Sequence, residues 1–174
     1  MHILIRQEKN EDANEVYHLI QQAFEDSDYS DHDEHNLVNR LRNSTKFIPE
    51  LSLVAEYDGQ IAGHILFTEV HVGDQTLIAL APVSVRPEMQ SKGIGKLLIT
   101  EGHKIAAQLG YKGSIVLGHD TYYPKFGYKK ASQYGIEAPF EVSDDHFMAA
   151  ELIDGGLTDV RGVVEYAKEF FEKE

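Results

Sequence analysis

The residues of this chain best suited to chemistry sit in one short run, Gln90-Ser91-Lys92-Gly93-Ile94-Gly95-Lys96, with Arg86 just ahead of it. Gly93 and Gly95 let the backbone approach a ligand closely or take φ > 0. An amphipathic helical pattern follows, so the free N–H groups of a first helical turn point at whatever sits there, and the helix dipole favours an anion. Between Arg86 and Lys104 there are four bases and two acids, on a chain with 16 Lys+Arg against 29 Asp+Glu and a net charge of −13. That local inversion points to a bound polyphosphate. Two phosphate loops fail on register. A nucleoside-triphosphate loop, Gly-x-x-x-x-Gly-Lys-Ser/Thr, would need Gly at Gln90 and a hydroxyl at Leu97. A dinucleotide fingerprint, Gly-x-Gly-x-x-Gly, would need its third glycine at Leu98.

Several elements must position this loop. Leu77 to Val85 is a nearly continuous apolar run, suited to a central strand covered on both faces. It leads into the loop, and a helix from about Gly95 to Leu109 leads out, closed by Gly110. Upstream, His2 to Arg6 reads as a short strand, Ala13 to Phe24 as an amphipathic helix after Asn10-Glu11-Asp12, and Glu34 to Arg42 as a second helix. Leu51 to Tyr57 and Ile61 to Val70 pair across an Asp58-Gly59 turn, and Gly73-Asp74 turns the chain again. Downstream, Gly113 to Leu117 is a buried strand, a short strand follows near Tyr128, and Phe147 to Leu152 is expected as the last. Val160 to Glu174 reads as a terminal amphipathic helix. Its apolar side chains, Val163 to Phe171, would pack on their own sheet or on a second copy, so a homodimer is one of two outcomes. No repeat, low-complexity tract or linker divides residues 1–174, and a single α+β domain is expected.

The pattern Gln/Arg-x-x-Gly-x-Gly/Ala, present as Gln90 to Gly95, resembles that of the GCN5-related N-acetyltransferase (GNAT) superfamily. The likeness is greatest to bacterial YhbS-type acetyltransferases. It spans most of the chain, from the first strand and helix to the tyrosine-rich turn, and continues more loosely into the tail. The resemblance implies an α/β/α layered GNAT fold. Its mixed, mostly antiparallel sheet has six to seven strands, with a central splayed pair flanked by helices. It also implies that backbone around Val83, Ser84 and Val85 holds the pantetheine arm of acetyl-CoA. The N–H groups of Gln90, Ser91, Lys92, Gly93, Ile94, Gly95 and Lys96 would cradle its pyrophosphate, and Phe126 would join the cofactor-binding set. An amine would attack the thioester carbonyl directly in a ternary complex, with a backbone N–H near Val83 polarising the carbonyl.

The turn Tyr122-Tyr123-Pro124-Lys125-Phe126-Gly127-Tyr128 resembles the family's Tyr-x-x-x-Gly-Phe/Tyr segment, whose tyrosine protonates the departing thiolate. Spacing to Gly127 selects Tyr123 for that role, with Tyr122 the alternative; either ring can instead pack a core corner. No carboxylate lies on the strand Leu77 to Val85, where several members carry a glutamate. The base is then Glu69 or His119, or the amine arrives neutral or loses its proton through water. His32-Asp33-Glu34-His35 lacks the His-Glu-x-x-His spacing, and no metal is expected. Glu25 to Glu34 holds six acids in ten residues. In the family the connection between the first two helices borders the acceptor groove, which implies attraction of a cationic amine. His64, His71, His103 and His146 have no partners that the sequence names.

Composition narrows the rest. The chain has 174 residues, 42% hydrophobic and 26% charged, ordinary values for a folded domain. A charge of −13 disfavours nucleic acid and anionic membrane surfaces. Cysteine is absent, which removes disulfides, Cys-ligated zinc and an acyl-cysteine enzyme, and fits a reducing compartment. No signal peptide or spanning run is evident, so a cytoplasmic protein is expected. The leading expectation is an acetyl-CoA-dependent N-acetyltransferase acting on a primary amine. The alternative is an acyl-CoA-binding sensor or interaction module without turnover. An O-acyl or amide-forming transferase is a third.

Overall fold

Turn chemistry sets the order of the sheet. In this computed structural model, which describes residues 2–28 and 30–172, Asp58 (φ 53°) and Gly59 (φ 76°) both take left-handed backbone. That pair folds β2 (Phe47–Tyr57) onto β3 (Gln60–Val72) as a two-residue hairpin. Gly73 (φ 58°) opens the next turn, into β4 (Gln75–Val85). The main path of the sheet has β1 (Leu4–Gln7) at one edge, then β2, β3 and β4. It continues through β5 (Gly113–Leu117) and β8 (Phe147–Glu151) to β6 (Lys129–Lys130). Neighbours on this path run antiparallel except β4 and β5.

Alternation along the strands divides the core into two layers. Leu53 and Ala55 of β2, Ile65 and Phe67 of β3, and Ile78 and Leu80 of β4 pack against α3 (Ile94–Gln108) through Leu98, Ile99 and Ala106. The opposite face offers Val54, Ile61 and Leu66 to α1 (Ala13–Ala23) and α2 (Glu34–Arg42), which bury Val16, Leu19, Ile20, Val38 and Leu41 there. Each Val, Leu, Ile or Phe side chain among these, fully buried, stabilises by about 1.5–3 kcal/mol. Helix α3 ends as expected: Gly110 takes φ 99°, its N–H bonds Ala107 O at 3.1 Å, and Tyr111 N–H bonds Ala106 O at 3.0 Å. Among the described residues no helix is long and apolar enough to cross a membrane.

Two expectations need correcting. The main path holds seven strands, but the sheet has nine, because β9 (Gly162–Glu165) pairs antiparallel with the far end of β3 and parallel with β7 (Ile136–Glu137). The segment expected as a terminal helix is therefore a strand followed by a short 3-10 turn, Lys168–Phe171; residues 173–174 lie outside the described residues. Gly162 inside a helix would cost about 1 kcal/mol. The β-branched pair Val163-Val164 alternates instead, Val164 at 1% exposure and Val163 at 51%, so it fits a half-buried strand. Val164 and Ala167 pack on the chain's own sheet.

Candidate active site

A bulge in β4 builds one wall of the site. Phe67 pairs with Leu80, but the next register pair is Ile65 with Val83, so β4 advances three residues while β3 advances two. The extra residue falls at Ala81-Pro82, where proline has no N–H to lose from the ladder. Its effect is a change of face: Leu80 packs on the α3 side, and beyond the bulge so do Val83 and Val85. Parallel pairing with β5 stops at Leu80↔Val116. From Pro82 to Val85, β4 keeps β3 on one side and, among the described residues, has no strand paired on the other. This is the splay expected in mid-sheet, and it opens a groove of about 1060 Å³.

The loop and helix α3 close one end of the groove. The Gln90 side-chain amide donates to Val85 O at 3.1 Å, which ties the loop back to the strand end. Ser91 (φ 64°) and Gly93 (φ 86°) both turn through left-handed backbone, and a Cβ on Gly93 would meet nothing within 4 Å. Gly93 caps α3 without a side-chain acceptor, and the first i→i−4 bond runs from Leu97 N–H to Gly93 O at 3.1 Å. The N–H groups of Ile94, Gly95 and Lys96 thus have no partner within the helix. Together with the positive end of a 15-residue helix, they make an anion cradle. Open space at Gly93 and a row of unspent donors suit a pyrophosphate.

The tyrosine-rich turn forms the facing wall. Gly127 (φ 93°) ends a 3-10 turn, Tyr123–Phe126, and the N–H groups of Tyr122 and Tyr123 both bond His119 O, at 3.2 and 3.3 Å. Tyr122 faces the groove, edge-on to Phe126 at 5.3 Å, with Lys125 Nζ 5.0 Å from its ring centre. Its hydroxyl stands over α3, 2.8 Å from where a Cβ on Gly95 would lie. Tyr123 lies one ring behind, 9% exposed, against Gly118 and edge-on to Tyr128 at 5.7 Å. Burial raises the pKa of both phenols, further for Tyr123, to which Tyr122 adds.

The groove therefore gathers Val83, Val85, Gln90, Ser91, Gly93 and Ile94, together with Gly95, Lys96, His119 and Phe126. Four expected residues are not on its wall. Ser84 alternates to the α1/α2 face, where it is 2% exposed and its Oγ has no protein partner. Lys92 is exposed on the loop and Tyr123 is covered by Tyr122. Glu69 is distant: it pairs with Ile78, five residues before Val83 or about 16 Å along the strand, and accepts a 2.6 Å bond from Tyr111 Oη.

Met89, Thr100, Lys125 and His103 also line the groove, without a role there expected from the sequence. Lys96, Thr100 and His103 fall at i, i+4 and i+7, one face of α3, and that spacing was a readable signal. His103 Nε2 lies 2.9 Å from Tyr128 Oη, which in turn lies 2.8 Å from Ser114 Oγ. Burial lowers the His103 pKa to about 4, so the imidazole is neutral at pH 7.

A splayed parallel pair, an anion cradle at the next helix and a tyrosine wall opposite are the parts an acyl-CoA thioester requires. The model of the acetyltransferase (GNAT) family matches residues 13–128, more than half of the chain. The chain belongs to the GNAT family of acetyltransferases. Among its GNAT relatives is the uncharacterized N-acetyltransferase YjhQ of Escherichia coli K12, 35% identical over 140 residues, 78% of this chain and 75% of YjhQ. The crystal structure of the GNAT-family N-acetyltransferase YhbS of Escherichia coli, in complex with CoA, superposes with a TM-score of 0.90 at 28% identity. That match covers 100% of this chain and 94% of YhbS. A GNAT-family acetyltransferase of Brucella melitensis, in complex with acetyl-CoA, superposes at 0.80 with 33% identity over 97% of this chain and 98% of its own.

Proposed function

We propose that this GNAT enzyme transfers the acetyl group of acetyl-CoA to a primary amine by direct attack in a ternary complex. The observation that carries the reading is the groove, which joins the unpaired edge of β4 to the open first turn of α3. In this reading the pyrophosphate sits on the N–H groups of Gly93 to Lys96, with Gln90, Ser91 and the charge of Lys92 and Lys96 around it. The pantetheine arm lies along Val83 and Val85, adding hydrogen bonds where β5 has left the strand. The carbonyl oxygen is polarised by the Val83 N–H, the first available beyond Pro82. The amine nitrogen bonds to the carbonyl carbon, the C–S bond breaks, and coenzyme A leaves as a thiolate that takes a proton from a phenol. We assign that proton to Tyr123, one ring behind the wall and still 9% exposed, by its spacing to Gly127 and because the Tyr122 hydroxyl is stationed over Gly95 at the phosphate end. Burial keeps Tyr123 protonated, the form a departing thiolate requires. His119, in the groove lining, is the proton acceptor of this reading; Glu69 is tied to Tyr111 too far away to serve.

Calorimetric titration with acetyl-CoA tests the site. The intact protein should bind, and Gly93→Asp, which puts a carboxylate among the N–H donors at a positive φ, should lose at least tenfold in affinity. Binding that survives this substitution unchanged would remove the cradle from the reading. Binding by the intact protein without acetylation of any amine in a broad screen would favour an acyl-CoA-binding module instead.

A further inference from the structure

Beneath α1 and α2 the sheet buries a chain of polar groups that the transfer reading does not use. Arg42 donates to both oxygens of Glu8, from Nε at 3.1 Å and from Nη2 at 2.6 Å. Ser52 Oγ donates to Glu8 Oε1 at 2.9 Å and lies 3.1 Å from His64 Nε2. A carboxylate paired in this way only accepts, so the single Ser52 proton is spent on it. His64 Nε2 must then carry the proton of its contact with Ser52 Oγ. Burial lowers the His64 pKa to about 4, so at pH 7 the ring is neutral and Nδ1 is a bare acceptor. That ring is 0% exposed, and its Nδ1 has no hydrogen-bond partner among the described residues. Directly across on β4, in register with His64, stands Ser84, whose buried Oγ has no partner among them either. An unspent donor and an unspent acceptor are thus cross-strand neighbours on one face, with Cβ atoms about 4.5–5.5 Å apart. Buried polar groups ordinarily have partners, and these two do not bond each other directly.

We propose that one buried water joins Ser84 Oγ to His64 Nδ1, and that this bridge holds the unpaired half of β4 in the orientation the thioester arm requires. A water accepts from the Ser84 hydroxyl and donates to Nδ1, the two roles that the pair leaves open. The bridge completes a run of polar groups from Ser84 through His64, Ser52 and Glu8 to Arg42, from the splay to the end of α2. Beyond Pro82 the β5 ladder no longer steadies β4, so an anchor from beneath takes its place. Ser84 lies between Val83 and Val85, and fixing its side chain toward α1 and α2 fixes theirs toward the groove. Neither Ser84 nor His64 lines the groove, so both are positioning residues. Their role rests on the reading that Val83 and Val85 hold the pantetheine arm.

Ser84→Ala tests the bridge, with Thr68→Val as the control. Thr68 carries an equally buried hydroxyl without a partner among the described residues, but it pairs with Ala79, ahead of the bulge. A high-resolution crystal structure of the intact protein should show one water within hydrogen-bonding distance of both atoms. Nitrogen-15 NMR without cofactor should show His64 as the Nε2–H tautomer, with an Nδ1 signal that Ser84→Ala moves and Thr68→Val leaves in place. In calorimetry of the folded variants, Ser84→Ala should weaken acetyl-CoA about fivefold, the scale of one hydrogen bond, and Thr68→Val should stay within about twofold of the intact protein. An Nδ1 signal indifferent to Ser84→Ala, or no water at the pair, would overturn the bridge. Equal weakening by the two variants, or none by Ser84→Ala, would overturn the positioning role. An intact protein that binds no acetyl-CoA would remove the transfer reading and the positioning role with it, while the NMR result still decides the bridge.

Discussion

Tyr122 and Tyr123 are neighbours whose hydroxyls meet different surroundings, and this divides the labour proposed for them. Tyr122 Oη crowds Gly95 at the open turn of α3, whereas Tyr123 packs between Gly118 and Tyr128 and keeps 9% exposure. Removing an acid used only in the transition state lowers kcat without touching ground-state affinity. Tyr123→Phe should therefore lower kcat by about 10²-fold or more with an acetyl-CoA Kd unchanged within twofold. Tyr122→Phe should weaken acetyl-CoA several-fold and leave kcat within a few-fold. Steady-state kinetics beside calorimetry separate the two; the reverse pattern would hand the proton to Tyr122. The glycine spacing and the turn could be read from the sequence because they are local. Which tyrosine forms the wall could not, because it depends on how the 3-10 turn at Tyr123–Phe126 rotates both rings against α3. Glu69 misled for a related reason: its type suited a base, but its place on β3 turns it toward Tyr111.

At the scale of elements, the site depends on how closely α3 lies on the sheet. A Cβ on Gly102 would fall 2.4 Å from Phe67 Cε2, so the helix rests on that ring with no room for a methyl group. Gly102→Ala gains helix propensity but overpacks the layer, and a net loss of about 1–3 kcal/mol is expected from thermal or denaturant unfolding. Because the same helix presents the cradle, acetyl-CoA affinity should fall as well; a variant of unchanged stability and affinity would show that α3 is free to lift. The three long strands were legible because Asp58-Gly59 and Gly73-Asp74 announce their turns, and α3 because Gly110 stops it. The β4 bulge was not. Leu77 to Val85 is apolar almost throughout, so no alternation betrays the point where the strand changes face, and nothing in the sequence shows that the Ser84 side chain points away from the groove. Strand β9 escaped for a different reason: its pairing partner, the end of β3, lies some ninety residues earlier in the chain.

Over the whole molecule, two buried imidazoles make stability depend on pH on the acid side of neutrality. His64 is fully buried, its Nε2 3.1 Å from Ser52 Oγ, and burial, with Arg42 adding to it, lowers its pKa to about 4 against the pull of Glu8. His103 has a pKa of about 4 as well. Each is depressed below its unfolded value of 6.5, so above that pH both states are neutral and the stability is fully present. As the pH falls from 6.5 toward 4, the unfolded chain takes up protons that the folded one refuses, at a cost of about 2–3 kcal/mol per histidine. The melting temperature should thus fall between pH 6.5 and 4.5, and His103→Gln should flatten part of that slope. A flat profile across this window would show that both rings take up protons in the fold as readily as in the unfolded chain. The carboxylates held low by arginine, Glu8 beside Arg42 and Asp12 beside Arg6, add their own loss at still lower pH.

The same arginine pairs have a consequence for self-association. Strands β2, β3 and β4, of 11, 13 and 11 residues, have strand neighbours on both sides, β4 only as far as the splay, while the main path ends in the four residues of β1 and the two of β6. Short edges give a neighbouring chain little to add a strand to. Beside β1, however, lies β2, whose Leu51 to Ala55 are buried without a break. Arg6 with Asp12 and Glu56, and Arg42 with Glu8, hold the first segment of the chain in place. These clasps thereby keep covered a long apolar edge that would otherwise template aggregation.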